Sequence, residues 1–188
     1  SAFVTGMLVV FTPLCQILIE KRAPKLGNIV GVILVTAGLF FLTSPRGSEF
    51  NFGDALTLGC ALCFALYIVY LDIFTKEHDA AQLTLIQFAT AAVGGGLMAG
   101  TFEHTWIELH PTLLWWLLYL TVAATVVAIY VQTKYQKETT PTRAAVIFSV
   151  EPVIAAVFAY FVLGEVLGPI GILGGGLIVA GVLVSELS

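Results

Sequence analysis

One acidic side chain, Glu151, lies well inside an apolar stretch, in the run "AVIFSVEPVIAAV". At ~1.5 Å per helical residue it sits about 12 Å along the axis from Arg143. A carboxylate at that depth in hydrocarbon is costly unless it faces a cavity, gains a partner or is protonated. Pro152 follows it, removes one helical hydrogen bond and opens the backbone beside the carboxyl. Polar groups at broken helices are how carriers bind solutes and couple to protons. The plainer alternative is a structural carboxyl bonded to a neighbouring helix, to Ser149 or to water. Thr12-Pro13 repeats the pattern, and there a kink with a satisfied hydroxyl explains as much.

Other polar-tipped residues within or near apolar runs are Gln87, Gln132, Tyr67, Tyr70 and Tyr130. The set expected along a solute pathway is Glu151, Pro152, Ser149, Thr12, Pro13, Gln87, Gln132, Tyr67 and Tyr130. Gln132 and Tyr70 also fit an interfacial role near span ends. Asp54, Asp72 and Glu165 sit at span ends, where capping or solvation explains them. Gly94–Gly96 and Gly174–Gly176 permit close helix packing.

Cofactor chemistry finds no support. His78, His104 and His110 are scattered through loops and form no ligand set, so no metal or other cofactor is expected. Cys60 and Cys63 share a helix face, but neither a second Cys pair nor a His accompanies them, and with Cys15 they read as small apolar residues. Enzymes acting at membranes use paired carboxylates, a metal set or a Ser/His-type constellation, and none is present, so no enzyme is expected. No basic stripe points to nucleic acid.

The elements that carry these residues follow from composition. Of 188 residues, 59% are hydrophobic and 11% charged, against roughly 45–50% and about 25% in soluble domains. So few charges cannot solvate the exterior of a water-soluble fold, so the surrounding solvent is lipid. A crossing helix needs about 20 mostly apolar residues, and seven candidates appear: 2–19, 26–43, 53–74, 83–102, 113–131, 144–163 and 169–187. The fold class is an all-α polytopic transmembrane bundle.

Seven of the eight basic residues fall in alternate loops: Lys21, Arg22, Lys25, Lys76, Lys134, Lys137 and Arg143. Basic loops stay cytoplasmic, so the C-terminus is expected inside. The opposite side holds Arg46 with Glu49, Glu103, Glu108 and Glu165. Trp106, Trp115, Trp116 and Tyr119 form an aromatic belt on that side. The first apolar run follows Ser1 with no positively charged leader, which reads as a chain starting partway through a larger protein.

The first and last span pairs resemble each other. Each has a polar residue before a proline (Thr12-Pro13, Glu151-Pro152), then a helix with a Gly and an Ala-Gly pair (Gly31 with Ala37-Gly38, Gly174 with Ala180-Gly181). The two pairs run in opposite directions through the bilayer, the mark of an inverted repeat. Residues 1–46 then form the last two helices of a first five-helix repeat, and residues 47–188 a complete second repeat. The loops match poorly, Glu20-Lys21-Arg22 against Gly164-Glu165.

Residues 140–187, "TPTRAAVIFSVEPVIAAVFAYFVLGEVLGPIGILGGGLIVAGVLVSEL", resemble the EamA family of the drug/metabolite transporter superfamily, as does the stretch 53–80, "GDALTLGCALCFALYIVYLDIFTKEHDA". The resemblance implies ten helices in two inverted repeats, a central cavity, and an inner-membrane (plasma membrane) carrier for small molecules such as amino acids or drug-like compounds. Three helices of that pattern are missing upstream. The expectation is a seven-span portion of an exporter working by alternating access, with lipid and a small-molecule substrate as partners and proton coupling through Glu151. A homodimer is left open. A non-transporting scaffold or lipid-handling protein is the alternative. A seven-helix receptor fits the span count but explains neither the repeat nor the abrupt start.

Overall fold

The computed structural model describes residues 2–43, 51–102 and 110–188, with side chains from Val4 onward. Among them are only helices and their connections: α1 (Ala2–Gly6), α2 (Leu8–Glu20), α3 (Leu26–Thr43), α4 (Phe52–Thr75), α5 (Ala80–Phe102), α6 (Pro111–Tyr119), a π-helical stretch (Leu120–Val127), α7 (Ala128–Gln136), α8 (Pro141–Phe148), α9 (Glu151–Leu163) and α10 (Pro169–Glu186). Six segments are long and apolar enough to cross a bilayer: α3, α4, α5, the run Pro111–Gln136, the run Pro141–Leu163, and α10. The seventh expected span is met by a shorter apolar run, Val4–Glu20. Large apolar side chains are bare to the surroundings, Leu18 and Phe161 each at 77%. Such surfaces are stable against hydrocarbon and not against water, so this is a multi-pass membrane protein. Trp106, Arg46, Glu49, Glu103, His104 and Glu108 lie outside the described residues.

Helix starts are set by local chemistry. The Thr140 hydroxyl accepts from the Arg143 N–H at 3.3 Å ahead of Pro141, and His110 Nδ1 accepts from the Thr112 N–H at 3.3 Å ahead of Pro111. Asn51 and Asp54 cap α4 reciprocally at 3.0 and 3.2 Å. Each uses a side chain to satisfy a donor that the first turn leaves free. Within the π-helical stretch the Thr125 hydroxyl donates to the Leu120 carbonyl at 3.0 Å, five residues back.

Internal contacts divide the chain into two units, residues 1–70 with 139–188, and residues 71–138. The first is organised by α3 against α10. A Cβ added at Gly38 would lie 2.6 Å from the Gly174 carbonyl oxygen, and one at Gly31 would lie 2.8 Å from that of Gly181. The helices are therefore antiparallel and touch backbone to backbone at two points seven residues, or two turns, apart. Val9, Val35, Leu39, Ala145, Val146 and Ile178 fill the core beside this seam. Gly94–Gly96 behave otherwise: nothing in the structure lies within 4 Å of a Cβ added there.

Two helix lengths of the first unit recur at a fixed spacing. α2, Leu8–Glu20, recurs 143 positions later as α9, Glu151–Leu163, and α3, Leu26–Thr43, as α10, Pro169–Glu186. The interruption at Met7 recurs at Val150. Lys21 and Gly164, which end α2 and α9, both take the left-handed conformation, at φ 54° and 70°. The loop sequences differ while the backbone turn is the same. Glycine suits that turn without strain, whereas Lys21 adopts it with its N–H held by the Ile17 carbonyl at 3.1 Å. In this register Glu151 corresponds to Leu8, so the Thr12-Pro13 and Glu151-Pro152 motifs lie four residues, one helical turn, out of step.

The seam makes a direct prediction. Gly38→Val and Gly174→Val force the helices apart and each cost about 1–3 kcal/mol or more. Gly176→Val, where nothing lies within 4 Å of an added Cβ, is close to neutral. Thermal unfolding of the purified protein in detergent measures the difference, and equal behaviour of Gly38→Val and Gly176→Val would contradict the packing described.

Candidate functional site

The run Pro141–Leu163 is two helices with a break between them. Pro152 has no N–H to give the Phe148 carbonyl, and its ring crowds that carbonyl. The chain responds with tighter turns: the N–H groups of Ser149 and Val150 reach the carbonyls of Val146 and Ile147 at 3.2 and 3.0 Å. The Ser149 hydroxyl donates to the Ala145 carbonyl at 3.0 Å and is buried. α9 then restarts at Glu151 with Pro152 in its first turn. Glu151 is exposed and has no hydrogen-bonding partner among the described residues. Glu151, Pro152 and Ser149 thus meet at an opened backbone inside an apolar span, with Ser149 bonded to Ala145.

Thr12 is fully buried and donates to the Leu8 carbonyl at 2.8 Å, with Pro13 inside α2. This hydroxyl is satisfied within its own helix.

Tyr67 lies on α4 with its ring against Phe64, centroids 5.4 Å apart. In the second unit, Gln87 on α5 donates to the Thr133 hydroxyl on α7 at 3.4 Å. Gln132 is the next residue on α7, and its amide nitrogen is buried without a partner. Tyr130 is 39% exposed and Tyr70 47%. Ser149, Glu151 and Pro152 lie together at the break and Gln87 contacts Thr133 beside Gln132, whereas Thr12, Pro13, Tyr67 and Tyr130 join neither group.

Two features escaped the sequence reading. Asp72, expected at a solvated span end, is 1% exposed and paired with Lys76 one turn on, while its second oxygen is buried without a partner. A short acid so close to the end of α4 gave no sign of being covered. Among the described residues of the second unit, the buried polar ones are Asp72, Thr75, Thr84, Thr133 and Gln136, and the buried apolar one is Leu71. That interior is polar, and Gln136 also leaves its amide nitrogen unbonded. Buried polar atoms without partners commonly mark places that hold water or an ion.

The other feature is a polar clasp where α8 begins. Gln16 on α2 accepts from the Thr142 hydroxyl at 2.6 Å and from its N–H at 3.3 Å. On the opposite flank Asn28 of α3 accepts from Ser185 of α10 at 3.1 Å and donates to Thr140 at 3.4 Å. Arg143 donates to the carbonyls of Ser185, at 3.0 and 3.2 Å, and Glu186, at 3.1 Å. It also pairs with the Glu186 carboxylate at 3.5 Å. Hydrogen bonds between helices in bilayers average about 0.6 kcal/mol, so the two made by Gln16 form a contact that can open, whereas Arg143 and Asn28 together hold α8 more firmly to α3 and α10. Gln16 was legible as a lone amide in an apolar run. Its partner, 126 residues away, was not.

Comparison with known proteins places this arrangement. Residues 51–187 match the EamA-like transporter family. An uncharacterized transporter of Archaeoglobus fulgidus is 32% identical over 187 residues, covering 100% of this chain and 60% of its own length. The threonine/homoserine exporter RhtA of Escherichia coli K12 is 32% identical over 185 residues, covering 94% of this chain and 59% of its own length. A solved crystal structure superposes with a TM-score of 0.81 at 19% identity, covering 98% of this chain and 66% of that one, which establishes the shared fold. The chain thus spans about 60% of the length of the curated relatives it matches. Its matched region takes in the broken span and α10 with its glycines, and the chain belongs to the EamA-like transporter family.

Proposed function

We propose that this chain forms the greater part of an inner-membrane exporter of small metabolites, built as a ten-helix inverted repeat and working by alternating access. The observation that carries the reading is the broken span, with Glu151 and an opened backbone inside an apolar segment of a transporter-family chain. The start of α9 carries the positive end of a helix dipole, which suits a solute carboxylate, and the adjacent acid suits a solute ammonium or a proton. Those two charges are what an amino acid offers. The threonine/homoserine exporter is among the relatives, so threonine and homoserine are the first substrates to test.

The recurrence at 143 positions supports the repeat. Gly31 meets Gly181 and Gly38 meets Gly174, while Gly31 corresponds to Gly174 and Gly38 to Gly181. A contact in which i meets j′ and j meets i′ is what a two-fold axis between equivalent elements requires. That axis runs between α3 and α10, so the two halves rock about the seam. Protonation of Glu151 couples the cycle to the proton gradient.

Two experiments test this. In proteoliposomes loaded with radiolabelled threonine, efflux saturates with concentration and accelerates across a pH step. Glu151→Gln lowers it by about tenfold or more, equivalent to ~1.4 kcal/mol, and removes the pH dependence. Efflux with unchanged pH dependence in Glu151→Gln would sink proton coupling through this residue, and absence of saturable flux for any amino acid would favour a scaffold or lipid-handling role. Independently, a reporter that matures only in the cytoplasm, fused after Ser188, is active, because the basic loops place the C-terminus inside. A silent reporter with an active periplasmic counterpart would invert the topology.

A further inference from the structure

We propose that Gln16 and Thr142 form a releasable gate, at which α2 parts from α8 while α8 remains with the α3–α10 seam. This rests on the transport reading above and assigns the gating residues to it.

The attachments of α8 are unequal. Towards α10 and α3 it is held by Arg143, with three hydrogen bonds and an ion pair, and by the Asn28–Thr140 contact. Towards α2 it is held at this end by one neutral amide, Gln16, whose oxygen takes both the hydroxyl and the N–H of Thr142. In hydrogen bonds and charge, this end of α8 is held less by α2 than by α3 and α10.

The side chains buried on the two helices are mostly small. α8 buries Thr142, Ala144, Ala145 and Val146, all small side chains, and α2 buries Val9, Thr12, Cys15 and Gln16. No large knobs interlock across that set. α2 is a 13-residue helix bounded by the interruption at Met7 and the left-handed turn at Lys21.

The groups released are Gln16 Oε1, the Thr142 hydroxyl and the Thr142 N–H. Each is costly to leave bare in hydrocarbon and readily satisfied by water. The gate therefore opens towards a water-filled path. The latch also belongs to one end alone: the residue 143 positions after Gln16 is Ala159, which has no amide. This amide is therefore not repeated at the matched position of α9.

Cys15 supplies a built-in reporter, because it is 5% exposed and next to Gln16 in α2. In a background carrying Cys60→Ala and Cys63→Ala, the rate at which a water-soluble maleimide modifies Cys15 reads the open population directly. Thr142→Val and Gln16→Leu raise that rate by about threefold for each hydrogen bond removed. Thr142→Ser, which retains the hydroxyl, stays close to the parent rate. Unchanged labelling in both Thr142→Val and Gln16→Leu would overturn the latch, as would Thr142→Ser labelling as fast as Thr142→Val.

A second experiment separates a gate from a fixed strut. Gln16→Cys with Thr142→Cys, in a background lacking the three native cysteines, is bridged by a short bis-thiosulfonate reagent. Threonine efflux stops on bridging and returns on reduction. Efflux that continues through the bridged protein would overturn the gate. A parent without threonine efflux counts against the transport reading alone, and the labelling rates still decide the latch.

Discussion

Everything in the first unit is placed by a contact that side chains do not make. Gly31, Gly38, Gly174 and Gly181 let the backbones of α3 and α10 touch, so that any Cβ there would strike a carbonyl oxygen of the other helix. Lipid tails are as apolar as leucine, so burial alone gives helices in a bilayer little reason to associate. Close approach recovers dispersion over two whole turns. The approach also fixes the register of α3 against α10, and with it the height at which Asn28 meets Ser185 and Arg143 meets the last carbonyls of α10. The N-terminus of α8 is set by those bonds, and Gln16 then closes on α8 from α2. The polar clasp is downstream of the glycines.

That ordering separates what the sequence showed from what it concealed. Apolar runs interrupted by basic loops located most of the spans, since a bilayer imposes one length on every crossing. Pro152 announced the break because the missing N–H is a property of the residue itself. The family resemblance in residues 140–187 rested on the same local signals and agrees with the match over residues 51–187. Partnership is different. Gln16 and Thr142 are separated by 126 positions, and a glutamine in an apolar run reads the same whether it is clasped or bare. Asp72 failed for the same reason: its position near the end of α4 suggested water, and its burial comes from tertiary packing.

The internal repeat shows both cases at once. Matching Thr12-Pro13 with Glu151-Pro152 is natural by eye, because proline is the most conspicuous residue in each helix. The elements repeat one turn away from that match, with Leu8 opposite Glu151. Proline is sufficient to interrupt a helix but is not required, and the interruption at Met7 has none beside it. Pro13 sits inside α2 and is accommodated there. The glycines follow the 143-residue spacing and lie at contacts between helices, whereas each proline needs only to satisfy its own helix.

A repeat with this register need not be symmetric in chemistry. Equivalent positions carry Leu8 and Glu151 at the starts of α2 and α9, and Gln16 and Ala159 further along. One half therefore has the acid at its break and the other the amide that closes on a neighbouring helix. If the two halves were chemically identical, inward- and outward-facing arrangements would be equal in energy apart from the membrane potential. On the transport reading proposed above, a charge-bearing group in one half and a hydrogen-bonded latch in the other make the two arrangements unequal and let protonation or solute occupancy bias the choice between them. On that same reading, the side chains at matched positions diverge because transport in one direction needs two states that a ligand can tell apart.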